Sequence, residues 1–362
     1  MKRVATYQLI PGMKVAEDVY NLNKQLILPK DTILTDDIIT RLDFYSVISI
    51  YIADEESPKA PAGSLDTKEE LPSYSKRLQA APEFQIFRKK YELLVEDFRN
   101  TLKNVLEKDA KLDTRELLGK MNTLLQSDTG HAGLFDMLHN MRQYSDATFT
   151  HSLNVALICH TFAGWLHFSE NDIRTATLCG LLHDIGKLQV PLQILDKPGK
   201  LTEDEYQYIK QHPINGYRTL ISRQADSVIC TTALLHHEKH DGSGYPYGLP
   251  GSRLDRFTKM VTIADIYDAM TCARIYRGPL CPFRVLDLMQ EEGYQKYDAG
   301  YLMTFLSHIA DSYLTYRVRL SNGKEGEVIY INQQKPGRPT IKCGGEYIDL
   351  SQRKDLEILG IV

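Results

Sequence analysis

Histidine and aspartate residues occur in five short clusters between residues 151 and 265 of this 362-residue chain. Successive clusters are separated by roughly 24 to 32 residues, which is enough for one helix and its connection or for a helical hairpin. Each cluster can therefore lie at the end of a different helix, and all five can converge on one point. The clusters are His151, His183 with Asp184, His212, His236 with His237, and Asp265.

The segments beside these clusters are small and apolar. Residues 177–182 precede His183 and Asp184, and residues 261–264 precede Asp265 in the same way. An unpaired buried carboxylate costs several kcal/mol, which only a strong partner such as a cation returns. Taken singly, each residue can also be a hydrogen-bonded core histidine or a helix-capping aspartate. Seven such residues together favour a metal centre.

Mixed imidazole and carboxylate ligation suits iron, manganese, zinc or a related divalent ion, and the chain has no C-x-x-C pair for a thiolate zinc site. Seven ligands are too many for one ion with an open position for water, but they suit two ions that share a carboxylate. Asp184 is the predicted bridge, because His183 beside it can bind one ion. Two ions with a bridging hydroxide are a recurring device for displacement at phosphorus. Cations must also hold the phosphate, and the candidates are Lys187, Arg274 and Arg277.

Charge and composition exclude several other classes of protein. The net charge is −4, from 43 basic and 47 acidic residues, so the chain has no general basic field for DNA or RNA. The N-terminus lacks the apolar stretch of a signal peptide, and no run approaches the ~18 apolar residues of a membrane span. The six cysteines are interpreted as reduced packing residues. These features predict a cytoplasmic protein that does not itself insert into a membrane.

Hydrophobic patterning predicts a mainly α-helical protein with two small appended modules. Proline-rich composition marks a linker, and the apolar stripes that follow it are typical either of core packing or of a dimer contact. The predicted parts are an α+β N-terminal module at 1–54, a linker at 55–82, a helical segment at 83–139, a helical catalytic domain at 140–316, and a β C-terminal appendage at 317–362.

A loop with three glycines and a proline follows His236 and His237, and it extends to Leu249. Such a loop is predicted to form an ordered wall of a substrate site, with an aromatic side chain that can lie against a base or sugar. With this loop included, residues 140 to 315 of the chain resemble the HD-GYP family of phosphodiesterases. The matching segments are 151–155, 183–187, 236–238, 241–246 and 264–270, together with Arg274.

The resemblance implies an HD-type helical domain that hydrolyses cyclic di-GMP, a bacterial second messenger, to pGpG and often on to GMP. By the same resemblance, Asp184, Lys187 and Asp268 are the expected catalytic residues, with Asp268 orienting an arginine or a water. The implied metal ligands are His151, His183, Asp184, His212, His236, His237 and Asp265. The implied substrate contacts are Lys187, Gly244, Tyr245, Asp268, Arg274 and Arg277.

One position departs from a three-metal type of the family, which has a glutamate four residues before the first histidine. This chain has Ala147 there, so we expect two divalent ions, iron or manganese, and pGpG as the main product. A non-hydrolysing cyclic dinucleotide receptor or scaffold is one alternative. Another is an HD phosphohydrolase of a different nucleotide, such as cyclic GMP-AMP. A homodimer and signalling protein partners are further expectations.

Overall fold

The computed structural model describes most of the chain, with gaps. Arg274 and Arg277 lie outside the described residues, and so does the larger part of the predicted linker. The described residues are 1–6, 9–20, 26–35, 38–39, 42, 47, 49–53, 74–108, 110–125, 133–141, 147–195, 202–271 and 281–362.

The N-terminal residues form two antiparallel strand pairs around a small core of their own. Strand β1 (Lys2–Ala5) pairs with β4 (Ser49–Ile52), and β2 (Val19–Tyr20) pairs with β3 (Leu26–Leu28). Ile38, Ile39 and Leu42 are helical, as their spacing predicts. Ile39 and Leu42 belong to a buried apolar cluster that is separate from the main core, and Ile38 packs against this cluster. The expected small α+β module is therefore present.

Helices make up the middle of the chain. Residues 74–80, within the stretch predicted as linker, are helical because Leu78 packs into the main core. The helices are α1 (Tyr74–Ala80), α2 (Pro82–Glu107), α3 (Thr114–Leu125), α4 (Leu134–Met141), α5 (Ala147–Trp165), α6 (Glu170–Leu182), α7 (Leu192–Leu195), α8 (Glu203–Ile209), α9 (His212–Ser222), α10 (Ser227–Leu235), α11 (Arg256–Thr271), α12 (Pro282–Gly293) and α13 (Ala299–Asp311), with 3₁₀ turns at Ile185–Gln189 and Gly251–Arg253.

Helices α5 and α6 cross closely, and a glycine permits this. A Cβ atom on Gly180 would lie 2.9 Å from Cα of Ala156, so any larger residue would push the helices apart. The inner faces of these helices are fully buried, as at Leu153 and Cys179. This crossing brings the start of α5 and the end of α6 together, which are the two places where His151 and His183 lie.

A five-stranded antiparallel sheet follows the last helix, with its strands in the spatial order 346–349, 340–343, 325–330, 317–320 and 358–361. It packs on α12, where Nε of Arg338 donates to Asp287 at 2.7 Å, and its buried side chains share the core of the helices. The mainly helical fold with a small C-terminal sheet is thus confirmed. The strands are β5 (Arg317–Leu320), β6 (Glu325–Tyr330), β7 (Thr340–Cys343), β8 (Glu346–Asp349) and β9 (Ile358–Ile361).

Two other expectations from the sequence can be compared with the fold. Cys159, Cys179 and Cys230 are buried and carry free thiols, whereas Cys272 lies outside the described residues. Among the helices that the structure describes, each is too short or too polar to cross a lipid bilayer.

Candidate metal centre

Five of the seven predicted ligands lie at the ends of short helices, and the other two lie inside longer ones. Helix α6 begins after Ser169, whose hydroxyl accepts from the backbone N–H of Asp172 at 3.2 Å, and it ends at His183. Helix α10 begins after Asp226 in the same way and ends at His236. Side chains at such ends can converge, because each helix presents its last turn to the same space.

The ligand atoms of these residues form two groups, and within each group all atoms lie within 4.8 Å of one another. The structure therefore brings together every residue that the resemblance implies as a ligand. The first group is Asp184, His212, His236 and His237, and the second is His151, His183 and Asp265.

Asp184 lies between the two groups. Its Oδ1 is 3.2 Å from Nε2 of His212 and 3.5 Å from Nε2 of His236. Its Oδ2 is 3.4 Å from Nε2 of His183 and 3.7 Å from Nε2 of His151. One carboxylate thus presents one oxygen to each group, which is the arrangement that a bridging ligand needs.

Three of the imidazoles have their tautomer fixed by the backbone. Nδ1 of His183, His212 and His236 lies 2.7, 2.8 and 2.9 Å from the carbonyl oxygen of Gly180, Ile209 and Ala233, respectively. A carbonyl oxygen only accepts, so each Nδ1 must donate, and each Nε2 of a neutral ring carries a lone pair. Such a second hydrogen bond is typical of histidines that bind metal through the other nitrogen.

These lone pairs face one another at short range. Nε2 of His212 is 3.3 Å from Nε2 of His236, with the Asp184 carboxylate beside both. Burial lowers the pKa of His236 to about 4 and also lowers the pKa of His212, so both rings are neutral at pH 7. Neutral nitrogens and a carboxylate converging in this way repel each other unless a cation lies among them. The donor set therefore fits a divalent metal ion.

Unsatisfied buried atoms support the same conclusion. Nε2 of His183 and Oδ1 of Asp184 are buried and have no hydrogen-bond partner among the described residues. A buried polar atom without a partner costs about 1–3 kcal/mol, more for a charged group, so native proteins rarely leave one without a role. Both atoms point into the ligand groups, where a metal ion would satisfy them.

His151 is held differently from the other histidines. Its Nδ1 lies 2.8 Å from Oδ2 of Asp268, and its Nε2 lies 2.9 Å from Oδ1 of Asp265. Burial alone would lower the pKa of His151, but hydrogen bonds to these two carboxylates raise it to about 10. Asp265 belongs to the second ligand group, whereas Asp268 lies on the far side of the ring.

Asp268 is buried behind the ring of His151. Its side chain is fully buried, and its two oxygens accept from His151 and from Nδ2 of Asn154, the latter at 3.1 Å. The sequence places Asp268 three residues after Asp265, one turn further along α11, and the helix turns it toward α5. We therefore interpret Asp268 as a residue that positions His151, and its expected catalytic role and substrate contact stay predictions.

Lys187 lies beside the carboxylate of Asp184. Its Nζ donates to Oδ2 of Asp184 at 2.6 Å, and its side chain keeps 24% of its surface exposed. Burial would raise the pKa of Asp184, but Lys187 and His183 lower it well below its ordinary value. Lys187 is thus a charged group at the border between the buried ligands and the outside.

The glycine-rich loop folds back onto the ligands. Tyr245 is 7% exposed, and its ring stacks on that of His237 with 4.6 Å between the centroids. A Cβ atom on Gly244 would lie 2.4 Å from the carbonyl oxygen of His237, so only glycine fits. The ring of Tyr245 thus packs on a predicted ligand, and its expected contact with substrate stays a prediction. Gly244 packs against the same backbone.

A buried glutamate that the sequence reasoning missed fastens this loop. The carboxylate of Glu238 is fully buried and accepts from the backbone N–H groups of Tyr247 and Leu249, at 2.7 and 2.9 Å. Lys210 was missed as well, and its Nζ lies 4.9 Å from the ring centroid of Tyr245. Glu238 directly follows the two histidines in the sequence, and this adjacency could have indicated a role for Glu238 beside the ligands.

Comparison with known proteins agrees with this geometry. A family model described as an HD domain matches residues 132–300. The 3'3'-cGAMP-specific phosphodiesterase 1 of Vibrio cholerae is 43% identical over 148 residues, which cover 41% of this chain and 34% of that protein. The cyclic di-GMP phosphodiesterase PA4108 of Pseudomonas aeruginosa is 31% identical over 233 residues, which cover 64% of this chain and 56% of that protein.

The comparisons also matched two further proteins. The cyclic di-GMP phosphodiesterase response regulator RpfG of Xanthomonas campestris is 44% identical over 114 residues, covering 31% of this chain and 30% of that protein. The solved structure of Bd1817, a HDG"Y"P protein from Bdellovibrio bacteriovorus, aligns with a TM-score of 0.43 and 17% identity, covering 84% of this chain and 97% of that one. The chain thus spans between about a third and just over half the length of these three curated relatives. The expected family resemblance is confirmed for the helical domain: residues 132–300 match the HD-domain model, and relatives of the chain are named cyclic di-GMP phosphodiesterases.

Proposed function

We propose that this chain hydrolyses the phosphodiester bonds of cyclic di-GMP, with pGpG as the main product, at a centre of two divalent ions. The observation that carries the proposal is the position of Asp184, which presents one oxygen to each of two ligand groups. Relatives named cyclic di-GMP phosphodiesterases, at 31% and 44% identity, support the substrate.

Seven residues would hold the ions, four in one group and three in the other, with Asp184 shared between them. Iron or manganese suits this mixture of imidazole and carboxylate ligands. We propose two ions and not three, because Ala147 has no donor atom at the position of an additional ligand. When bound, the ions would polarise the phosphate and make water a stronger nucleophile.

The other residues of the chain would position the ligands and bind the phosphate. The ammonium of Lys187 borders the ligand groups and can donate to a phosphate oxygen, which would offset charge that develops during the reaction. Tyr245 would keep His237 in place by ring stacking, and Asp268 would orient His151. Arg274 and Arg277 are proposed as further phosphate contacts from the sequence alone.

Product analysis tests the proposal. Full-length protein purified without oxygen and loaded with Mn²⁺ or Fe²⁺ should convert cyclic di-GMP to pGpG, and Asp184→Asn should abolish this. Asp311→Asn is a matched control, since Asp311 is an exposed carboxylate at the end of α13. Tight binding of cyclic di-GMP without product would contradict hydrolysis and favour the receptor alternative.

Cyclic GMP-AMP is a second candidate substrate, and one observation favours it. Two of the relatives are named 3'3'-cGAMP-specific phosphodiesterases, at 43% and 38% identity. A competition assay with both dinucleotides in one tube would measure the ratio of their kcat/KM values. A ratio above one for cyclic di-GMP supports the first candidate, and a ratio below one supports the second.

A homodimer through α2 is also proposed. Ile86 and Leu93 are exposed on this helix, seven residues and therefore about two turns apart, so they share one face. Light scattering of the wild-type chain and of a double Ile86→Glu, Leu93→Glu variant tests this dimer, which the double variant should dissociate. Protein partners in signalling and a cytoplasmic location stay predictions from the sequence.

A further inference from the structure

A series of buried hydrogen bonds connects helix α2 to the ligand His151. The hydroxyl of Tyr91 on α2 lies 2.6 Å from Oδ1 of Asn154 on α5. Nδ2 of Asn154 donates to Oδ1 of Asp268 on α11 at 3.1 Å, and Oδ2 of Asp268 lies 2.8 Å from Nδ1 of His151. Tyr91, Asn154 and Asp268 are 1%, 3% and 0% exposed, respectively.

The direction of each hydrogen bond follows from the chemistry. A carboxylate only accepts, so the NH₂ group of Asn154 must face Asp268, and its carbonyl oxygen must face Tyr91. The hydroxyl of Tyr91 is therefore the donor to Asn154. By the same argument Nδ1 of His151 donates to Asp268, which leaves Nε2 of His151 toward the ligand group. The four side chains thus form one consistently polarised series.

We propose that α2 positions His151 through this series, and that Tyr91 is a positioning residue for the second ligand group. The inference rests on the proposed metal centre, since it assigns His151 as a ligand. Helix α2 lies before residues 132–300, which match the HD-domain family. A segment outside the matched domain would then contribute to the support of its metal site.

Two features make Tyr91 effective in this role. Its hydroxyl also lies 3.3 Å from the backbone carbonyl oxygen of Thr150, so it contacts the residue directly before His151. Its ring stacks with that of Phe87, one turn earlier on α2, at 6.1 Å between centroids. The position of the hydroxyl therefore follows the position of α2 as a whole.

Removal of the hydroxyl would leave the buried Oδ1 of Asn154 without its donor. The amide could then turn or shift, which would weaken its hydrogen bond to Asp268 and the hold of Asp268 on His151. A hydrogen-bond partner on the other nitrogen of a metal-binding histidine orients the ligand ring and raises its basicity. The other ligand group contains no histidine that contacts Asp268 among the described residues, so its affinity for an ion is expected to stay unchanged.

Metal binding by full-length protein tests this inference without an activity assay. Mn²⁺ titration of Tyr91→Phe should show two ions per chain, one bound about 2- to 10-fold more weakly than in the wild type, as expected for the loss of one neutral hydrogen bond. Asn154→Ala should weaken the same ion. Tyr316→Phe is the matched control, since its hydroxyl donates to Asp136 at 2.6 Å, away from the series, and it should bind both ions as the wild type does.

A double variant distinguishes positioning from general destabilisation. Asp268→Asn alone should weaken the same ion about 10- to 100-fold. Addition of Tyr91→Phe to Asp268→Asn should cause little further loss if the two residues act in series, and a fully additive loss would overturn the inference. Wild-type affinity for both ions in Tyr91→Phe would overturn it alone, whereas a wild-type chain that binds no ion would overturn the proposed centre as well.

Discussion

Nζ of Lys187 lies 2.6 Å from Oδ2 of Asp184, and this ion pair closes the ligand groups on their exposed side. The carboxylate is 2% exposed, whereas the lysine still reaches the outside. A group in that position can bind an incoming phosphate without moving far. The pair therefore connects the buried ligands to the surface on which a substrate would lie.

Lys187→Met should lower kcat/KM for cyclic di-GMP by about 100- to 1000-fold, because one preorganised charge that offsets developing negative charge is lost. Mn²⁺ stoichiometry should stay at two, since Lys187 is not a ligand. Steady-state kinetics with measured metal content checks this. Lys259→Met is the control, since Lys259 is a part-buried lysine paired with Asp298 at 3.1 Å; equal losses in the two variants would contradict the role of Lys187.

Gly186→Ala should separate Asp184 from His212. A Cβ atom at Gly186 would lie 2.0 Å from the backbone carbonyl oxygen of His212 and 2.6 Å from the backbone nitrogen of Gly216. The start of α9 must then move, which we expect to cost about 1–3 kcal/mol of stability as an overpacked contact. Binding of one Mn²⁺ should weaken with it. Urea denaturation and metal titration measure both effects.

Gly119→Ala provides the matched control for that substitution. Gly119 is exposed on α3, and a Cβ atom there would meet nothing within 4 Å. Alanine in a helix is more favourable than glycine by about 0.5–1 kcal/mol. The control variant should therefore be more stable than the wild type with unchanged metal binding, and a loss of stability in it would show that the reasoning for Gly186 is incomplete.

Glu238→Gln should loosen the loop over the ligands. A glutamine has one carbonyl oxygen, so one of the N–H groups of Tyr247 and Leu249 would face an NH₂ group and lose its acceptor. The free energy of unfolding should fall by about 1–3 kcal/mol, because a buried N–H group loses its acceptor. Hydrogen exchange should increase between residues 239 and 250, and unchanged exchange there would contradict the fastening role. Glu291→Gln, an exposed glutamate of α12, is the control.

The contribution of Asp298 to the free energy of unfolding should depend on pH. It caps α13 through the backbone N–H groups of Gly300 and Tyr301, and it pairs with Lys259. Burial would raise the pKa of Asp298, but Lys259 and these backbone groups lower it below its ordinary value. A carboxyl with a lowered folded-state pKa stabilises the protein above its unfolded pKa, and this contribution disappears as pH falls through the folded value.

Asp298→Ala should therefore cost about 1 kcal/mol at pH 7, as is typical for a lost N-cap. The difference from the wild type should shrink as pH falls below the ordinary aspartate pKa of about 4. Urea denaturation at pH 7 and near pH 3 measures this change. A difference that stays constant over that range would mean that the ionised carboxylate is not the source of the stabilisation.

Much of the candidate metal centre was predictable because the sequence around each expected ligand is distinctive. Apart from binding a metal, an imidazole or carboxylate next to a small apolar run, as at His183 and Asp265, has few uses. It can cap a helix or form a hydrogen bond in the core. The spacing of the clusters also matched the lengths of the helices that separate them. The mainly helical fold with its terminal modules followed from apolar periodicity in the same way.

The positioning residues could not be predicted from such local signals. Tyr91 and Asn154 are 63 residues apart, and only the packing of α2 on α5 brings them together. Tyr245 is buried because the loop folds back over His237. Glu238 holds the loop in this position by accepting from the backbone N–H of Tyr247. The expected substrate contact of Asp268 came from the family resemblance alone. Its contacts with His151 and Asn154 depend on how α11 packs against α5.

Calorimetric titration of full-length protein with Mn²⁺, without oxygen, tests the bridging role of Asp184 most directly. Two ions should bind to each wild-type chain, and both should bind more weakly to Asp184→Ala, because each oxygen of Asp184 faces one ligand group. A wild-type chain that binds one ion, or an Asp184→Ala variant that loses affinity for only one of two, would contradict this bridging role.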